Sequence, residues 1–168
     1  MKNIVLTGFM GSGKTEVGRE LAHLKGLKLI DVDAEIEKSQ NMTISEIFKR
    51  FGEQKFREIE SKMIERVSRK KNVIIATGGG AAISERNMDA LKKTGIVICL
   101  TATPQTILQR TGITDDRPLL RVEDPLEKIN ELMLHRKQFY EKADIMIDTE
   151  NKTPREVAEE ILDKIRNE

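Results

Sequence analysis

The sequence predicts an α/β fold, a parallel sheet covered on both faces by helices, and three observations predict it. Short apolar runs rich in Val and Ile alternate with longer stretches of helical period along the chain. Several of those runs lack the every-second-residue alternation of a half-exposed strand, which is how strands buried on both faces read. The first run leads straight into a glycine loop and then into an amphipathic stretch, the order of a phosphate-binding turn. Strands alternating with helices join by right-handed crossovers, and such crossovers make neighbouring strands parallel.

The expected strands are residues 3–7, 28–31, 72–77, 96–101 and 144–148. The first helix follows the glycine loop, with Val17 to Leu24 in its pattern. Thr43-Ile44-Ser45-Glu46 fits a capping box, in which the Thr hydroxyl caps an orphan N–H and the Glu reaches back. Phe56, Ile59, Met63 and Val67 recur at three- and four-residue steps, so residues 53–70 read as one helix with an apolar stripe. Residues 84–93 make a further helix, and Thr103-Pro104 marks the start of another. Residues 111–124 fit no period; with Gly112, Asp115, Asp116 and Pro118 they read as a mobile lid. Thr153-Pro154-Arg155-Glu156 is a second capping box with proline in the first turn, and Val157, Ile161 and Ile165 carry the apolar face of the last helix. Phe48, Phe51, Phe56 and the methionines are expected to pack in the core, as is the Cys99 thiol.

A length of 168 residues allows one domain, residues 1–168. The 29 Lys+Arg and 28 Asp+Glu leave a net charge of +1, which argues against a nucleic-acid binder. With 38% hydrophobic residues the chain stands apart from disordered compositions. No uncharged apolar run approaches the ~20 residues of a membrane span, and the apolar part of the N-terminus is too short for a secretory signal. The single cysteine excludes an intramolecular disulfide and a Cys-based zinc cluster. The cytoplasm is the expected compartment.

The sharpest signal is Gly8-Phe9-Met10-Gly11-Ser12-Gly13-Lys14-Thr15, which satisfies G-x-x-x-x-G-K-[ST] at every fixed position. Glycines let successive backbone N–H groups turn inward around a phosphate, and the following helix adds its N-terminal partial charge. Gly11, Ser12 and Gly13 form that cradle, Lys14 reaches the β- and γ-phosphates, and the Thr15 hydroxyl suits Mg²⁺. The expected ligand is therefore a nucleoside triphosphate with its metal.

Two carboxylates, Asp31 and Asp33, end the second apolar run, at the strand end where parallel sheets bind ligands. The third run ends in Thr77-Gly78, where many such NTPases place a metal-supporting Asp. Asp31 is then the candidate for the metal, and Asp33 for orienting or deprotonating an acceptor hydroxyl. The alternative is that one of them caps the helix beginning near Ala34. Gly78-Gly79-Gly80 leaves bare backbone that a ligand can approach closely, or forms a flexible turn. Arg57 has Glu60 three residues on, the spacing of a pre-oriented fork for a carboxylate or phosphate; taken alone, it reads more often as a solvated surface arginine. Arg117, in the aperiodic segment, is positioned to meet the transferring phosphoryl group when the lid closes. Spacing alone singles out Arg110 and Arg136 more weakly.

Taken together, these residues resemble the shikimate kinase family over nearly the whole chain. The resemblance is carried by Gly8–Thr15, Asp31-Val32-Asp33, Phe56-Arg57-Glu58, Thr77-Gly78-Gly79-Gly80, Arg117-Pro118-Leu119-Leu120, and Arg136 with Tyr140 four residues later. It implies a three-layer P-loop kinase fold with a five-stranded sheet of order 2-3-1-4-5 and an acceptor-binding helical region at about residues 33–61. It implies transfer of the ATP γ-phosphate to the 3-hydroxyl of shikimate, on the route to chorismate and the aromatic amino acids. Asp33 would contact the shikimate hydroxyls, with Arg57, Gly78, Gly79, Gly80 and Arg136 around it and the two arginines on the carboxylate. Lys14 and Arg117 would meet the phosphates, Thr15 and Asp31 would support Mg²⁺, and Arg110 and the segment at Pro154 would flank the adenine. A monomer is the implied state. The rivals are a gluconate-type kinase, whose carboxylated acceptor the same arginines would suit, and a non-catalytic shikimate or nucleotide sensor, which is expected to have lost one of these groups.

Overall fold

The computed structural model describes residues 2–112 and 120–167. Strands β1 (Asn3–Gly8), β2 (Lys28–Asp31), β3 (Val73–Ala76), β4 (Gly95–Thr101) and β5 (Ile145–Asp148) form one parallel sheet in the order β2-β3-β1-β4-β5. Helices α1 (Lys14–Lys25), α2 (Val32–Gln40), α3 (Ile44–Ser68), α4 (Glu85–Thr94), α5 (Pro104–Thr111), α6 (Pro125–Tyr140) and α7 (Pro154–Arg166) cover it, with a short 3₁₀ turn at Ala81–Ile83. The expected three layers and strand order are both present.

The strand pleat divides the core in two. Val5, Ile75, Val97 and Cys99 face a cluster with Ile36, Ile47, Ile64, Leu91, Ile107 and Ile129. Their neighbours Ile4, Leu6, Ile74 and Ile98 face the other way, toward Val17 and Leu21 of α1 and Val157, Ala158 and Ile161 of α7. Each fully buried aliphatic side chain contributes about 1.5–3 kcal/mol. Strands β1 and β3 are buried along their whole length, whereas the edge strand β5 alternates. Absence of alternation therefore marks the centre of this sheet.

Local signals did what their chemistry requires. Both capping boxes form, at Thr43 with Glu46 and at Thr153 with Glu156. Thr103 caps α5 with Pro104 in its first turn. Asn3, 1% exposed, joins the start of β1 to the entry of β3 by donating to Lys70 O at 2.7 Å and accepting from Val73 N at 3.2 Å.

Several expectations need correction. The stripe expected over 53–70 belongs to a longer element starting at Ile44, broken in phase at Gly52 (φ 81°, ψ 171°). Glycine alone adopts that conformation cheaply. The break drops Phe51 off the stripe; its side chain is 53% exposed, while Phe48 and Phe56 pack at 4.8 Å between ring centroids. Met146 is also exposed, because it points outward from the edge strand. Thr111, expected in the lid, is the last residue of α5. Asp33 lies not at a strand end but in the first turn of α2. Arg117, with Asp115, Asp116 and Pro118, falls in residues 113–119, the half of the expected lid that lies outside the described residues.

Candidate active site

The strand register explains why distant segments meet at one edge. Leu6 of β1 and Asp31 of β2 both pair with Ala76 of β3, and Gly8 pairs with Leu100 of β4. The C-terminal ends of three strands are thus level, and the glycine loop, the acidic pair and the Gly78–Gly80 strap leave the sheet side by side. Gly8 has φ 134° and a Cβ there would strike the Leu100 carbonyl; Gly11 and Gly13 also have positive φ. These conformations curl the loop under the start of α1, whose N-cap residue Gly13 makes no side-chain cap. The N-terminal amides and the helix dipole are a site for anions.

Lys14 is buried and bent back over the loop. Its ammonium donates to Gly8 O at 2.8 Å and Phe9 O at 2.9 Å, and reaches Ser12 Oγ at 3.5 Å. It sits beside the cradle as a preformed cation. Thr15 Oγ donates to Asp31 Oδ2 at 2.7 Å. The other Asp31 oxygen accepts from Ala34 N at 3.1 Å and caps α2. The capping alternative therefore holds for Asp31, while its second oxygen is turned to the Thr15 hydroxyl. A hydroxyl and a carboxylate side by side at the phosphate cradle are the hard oxygen donors that Mg²⁺ takes.

Across the crevice, Arg57 and Asp33 meet the glycine strap. Arg57 donates to Glu60 Oε2 at 2.9 Å and to Glu53 Oε1 at 3.3 Å, and its guanidinium lies 5.1 Å from the Phe56 ring centroid. Glu60 is fully buried. Burial pushes its carboxyl above the usual range, and Arg57 and then Arg136 draw it back. Burial works against the Arg57 charge, yet Glu60 and Glu53 outweigh that and raise its pKa. A Cβ at Gly78 would lie 2.8 Å from Glu60 Oε1 and 2.9 Å from Asp33 Oδ1, and one at Gly80 would collide with the Arg57 guanidinium. The bare strap is what lets two carboxylates and an arginine converge.

Arg136 comes from α6. It is 3% exposed, its guanidinium lies 5.6 Å from the Phe9 ring centroid, and Nη1 has no hydrogen-bond partner among the described residues. A buried cationic donor left over in this way fits an anion that the protein itself does not supply. On the far side, Arg110 donates to Gly11 O and to Thr149 Oγ, both at 3.2 Å, and Pro154 lines the same wall. Lys14, Thr15, Asp31, Asp33, Arg57 and Arg136 border one crevice of about 1270 Å³ with the glycine strap, Arg110 and Pro154. That volume accommodates a nucleotide together with a small acceptor.

Sequence reasoning missed the parts played by Glu53 and Phe9, and the contact made by Tyr140, which it had singled out only as a motif residue. Glu53 stands four residues before Arg57, a spacing that could have disclosed it. Phe9 occupies an unrestricted position of the loop pattern, so nothing in the pattern marked it as the seat of Arg136. The Tyr140 hydroxyl donates to the Gly79 carbonyl, a link across 61 residues that no local pattern carries.

Comparison with known proteins bears on the identity of the acceptor. A shikimate kinase family model matches residues 10–166. A curated shikimate kinase of Thermodesulfovibrio yellowstonii is 53% identical over 162 residues, covering 96% of this chain and 94% of the relative. That of Thermoanaerobacter pseudethanolicus is 48% identical over 162 residues, covering 96% and 95%. Among solved structures, the shikimate kinase of Acinetobacter baumannii in complex with shikimate superposes with a TM-score of 0.97 at 40% identity, covering 99% of this chain and 94% of that one.

Proposed function

The chain belongs to the shikimate kinase family and phosphorylates shikimate with ATP in aromatic biosynthesis; we propose the following division of labour among its site residues. Gly11, Ser12, Gly13 and Lys14 hold the β- and γ-phosphates by backbone N–H groups, the α1 N-terminus and the ammonium. Arg110 and Pro154 flank the adenine. Thr15 and Asp31 would hold Mg²⁺, which when bound neutralises charge on the phosphate oxygens. Arg57 and Arg136 grip the shikimate carboxylate, helped by the bare backbone of Gly78, Gly79 and Gly80. Asp33 accepts a hydrogen bond from the 3-hydroxyl and takes its proton as the new O–P bond forms. The bond from the γ-phosphorus to its bridging oxygen breaks, and ADP leaves. Lys14 stabilises the charge on the transferring group, and Arg117 joins it from the Arg117-Pro118-Leu119-Leu120 segment.

The observation that supports this reading most is the pairing of unlike subsites in one crevice. A phosphate cradle lies on one wall, and two arginines, one with an unpartnered buried donor, lie on the other. The test is ADP release with ATP and Mg²⁺ in the presence of shikimate, gluconate, a nucleoside monophosphate mixture or no acceptor. Release with shikimate alone is expected, and release with gluconate instead would overturn the acceptor assignment. Asp33→Asn should abolish most turnover while ATP affinity stays within about twofold; near-normal kcat would remove Asp33 from the chemistry. The same reading takes the enzyme as a cytoplasmic monomer with no nucleic-acid or membrane partner, and light scattering at the mass of a single chain checks the oligomeric state.

A further inference from the structure

We infer that Tyr140 is a positioning residue for the acceptor, orienting the Gly80 N–H through its hydrogen bond to the Gly79 carbonyl. The inference rests on the reading above, in which the glycine strap and the two arginines hold the shikimate carboxylate.

The argument starts from the peptide bond. The Gly79 carbonyl and the Gly80 N–H belong to one planar trans unit and point in opposite directions. Fixing the carbonyl therefore fixes the N–H. Nothing in the strap does this by itself: with glycine on both sides of the bond, rotation of the whole unit meets little steric resistance. A half-turn would bring a carbonyl oxygen to the place of the N–H, and that oxygen would repel a carboxylate. The Tyr140 hydroxyl donates to the Gly79 carbonyl from α6, so the N–H is directed away from α6. A Cβ at Gly80 would strike the Arg57 guanidinium, so the arginine fork packs against the same glycine. The N–H that Tyr140 orients thus belongs to the residue that the arginine fork touches.

The surroundings make Tyr140 a firm tether. Tyr140 is 8% exposed, so little water reaches its side chain. Burial pushes the phenol up to about 12, with Arg136 drawing it partly back, so it remains a protonated donor wherever the enzyme works. Gly79 has little room to retreat, because a Cβ there would lie 3.0 Å from Met10 N of the glycine loop. Arg136 precedes Tyr140 by one turn of the same helix. One rigid element therefore carries a cation for the carboxylate and sets the amide beside it.

The test uses the full chain. Tyr140→Phe keeps the ring and removes the one donor. Its KM for shikimate should rise about tenfold, while KM for ATP and kcat stay within about twofold. An unchanged shikimate KM, or equal rises in both KM values, would overturn the inference. A second measurement needs no variant. The chain holds a single tyrosine, so carbon labelling at the phenolic position gives one NMR signal. That signal should move on titration with shikimate and stay in place with ADP; insensitivity to shikimate would overturn the inference even if the variant fails to fold. Wild-type ADP release is read alongside. Shikimate-dependent release with an unaltered variant sinks the role of Tyr140 alone, and absence of release sinks the acceptor assignment and this role together.

Discussion

Glu60 exposes no surface, yet its carboxylate holds the Arg57 guanidinium at the crevice. The Arg57–Glu60 spacing was legible in the sequence, because side chains three apart on a helix meet. Burial of the pair was not, since it depends on the strap that closes over Glu60 from β3. The pKa direction has a consequence for stability. The folded protein binds the Glu60 proton more tightly than the unfolded chain, where the ordinary value is 4.5. The stabilisation from this group is therefore full below that ordinary value and is lost as pH rises through the raised one. In Glu60→Gln no such titration exists. The melting temperature of the wild type relative to this variant should fall as pH rises from about 4.5 toward neutrality; a difference independent of pH would mean that Glu60 titrates alike in both states. The variant should also raise KM for shikimate about tenfold without altering KM for ATP, because the one carboxylate then left beside Arg57 among the described residues is the exposed Glu53.

At the scale of elements, the glycines separate what is local from what is not. Helix α3 carries two readable signals, the Thr43 capping box and the stripe from Phe56, and both are realised. Their union into one element bent at Gly52 was not readable, because a lone glycine inside a helical pattern fits a helix, a kink or an end equally well. The strap at Gly78–Gly80 was legible as bare backbone, but its neighbours came only with the fold. At Gly80 the obstacle to a side chain is the flexible end of Arg57 rather than backbone. Gly80→Ala should therefore fold, with a melting temperature within about 3 °C of the wild type. Displacement of the guanidinium should raise KM for shikimate at least about tenfold. A normal KM would show that Arg57 works from a different position.

At the scale of the whole molecule, stability comes from two apolar layers held apart by one sheet. Ile75, fully buried on β3, belongs to the layer that also seats Phe9, Phe56 and Tyr140 beneath the acceptor side. Ile75→Ala should cost about 2–5 kcal/mol, read as a lower urea midpoint at unchanged slope; a cost below about 1 kcal/mol would mean that this layer closes over the cavity. By itself the sequence determined the five strands, the two capping boxes, the parallel sheet and the glycine loop, because each rests on interactions between residues close in the chain; helix α6, which carries Arg136 and Tyr140, was not announced. Hydrophobic period, capping hydroxyls and loop glycines all act within a few residues, so Gly8–Thr15 and Thr153–Glu156 announce themselves. Only the tertiary structure decided that Arg136 sits on Phe9, that Glu60 is sealed by Gly78, and that Tyr140 holds Gly79. Those contacts join segments brought together by strand register, and register is settled by the burial of both faces of the sheet at once, a property of the assembled chain.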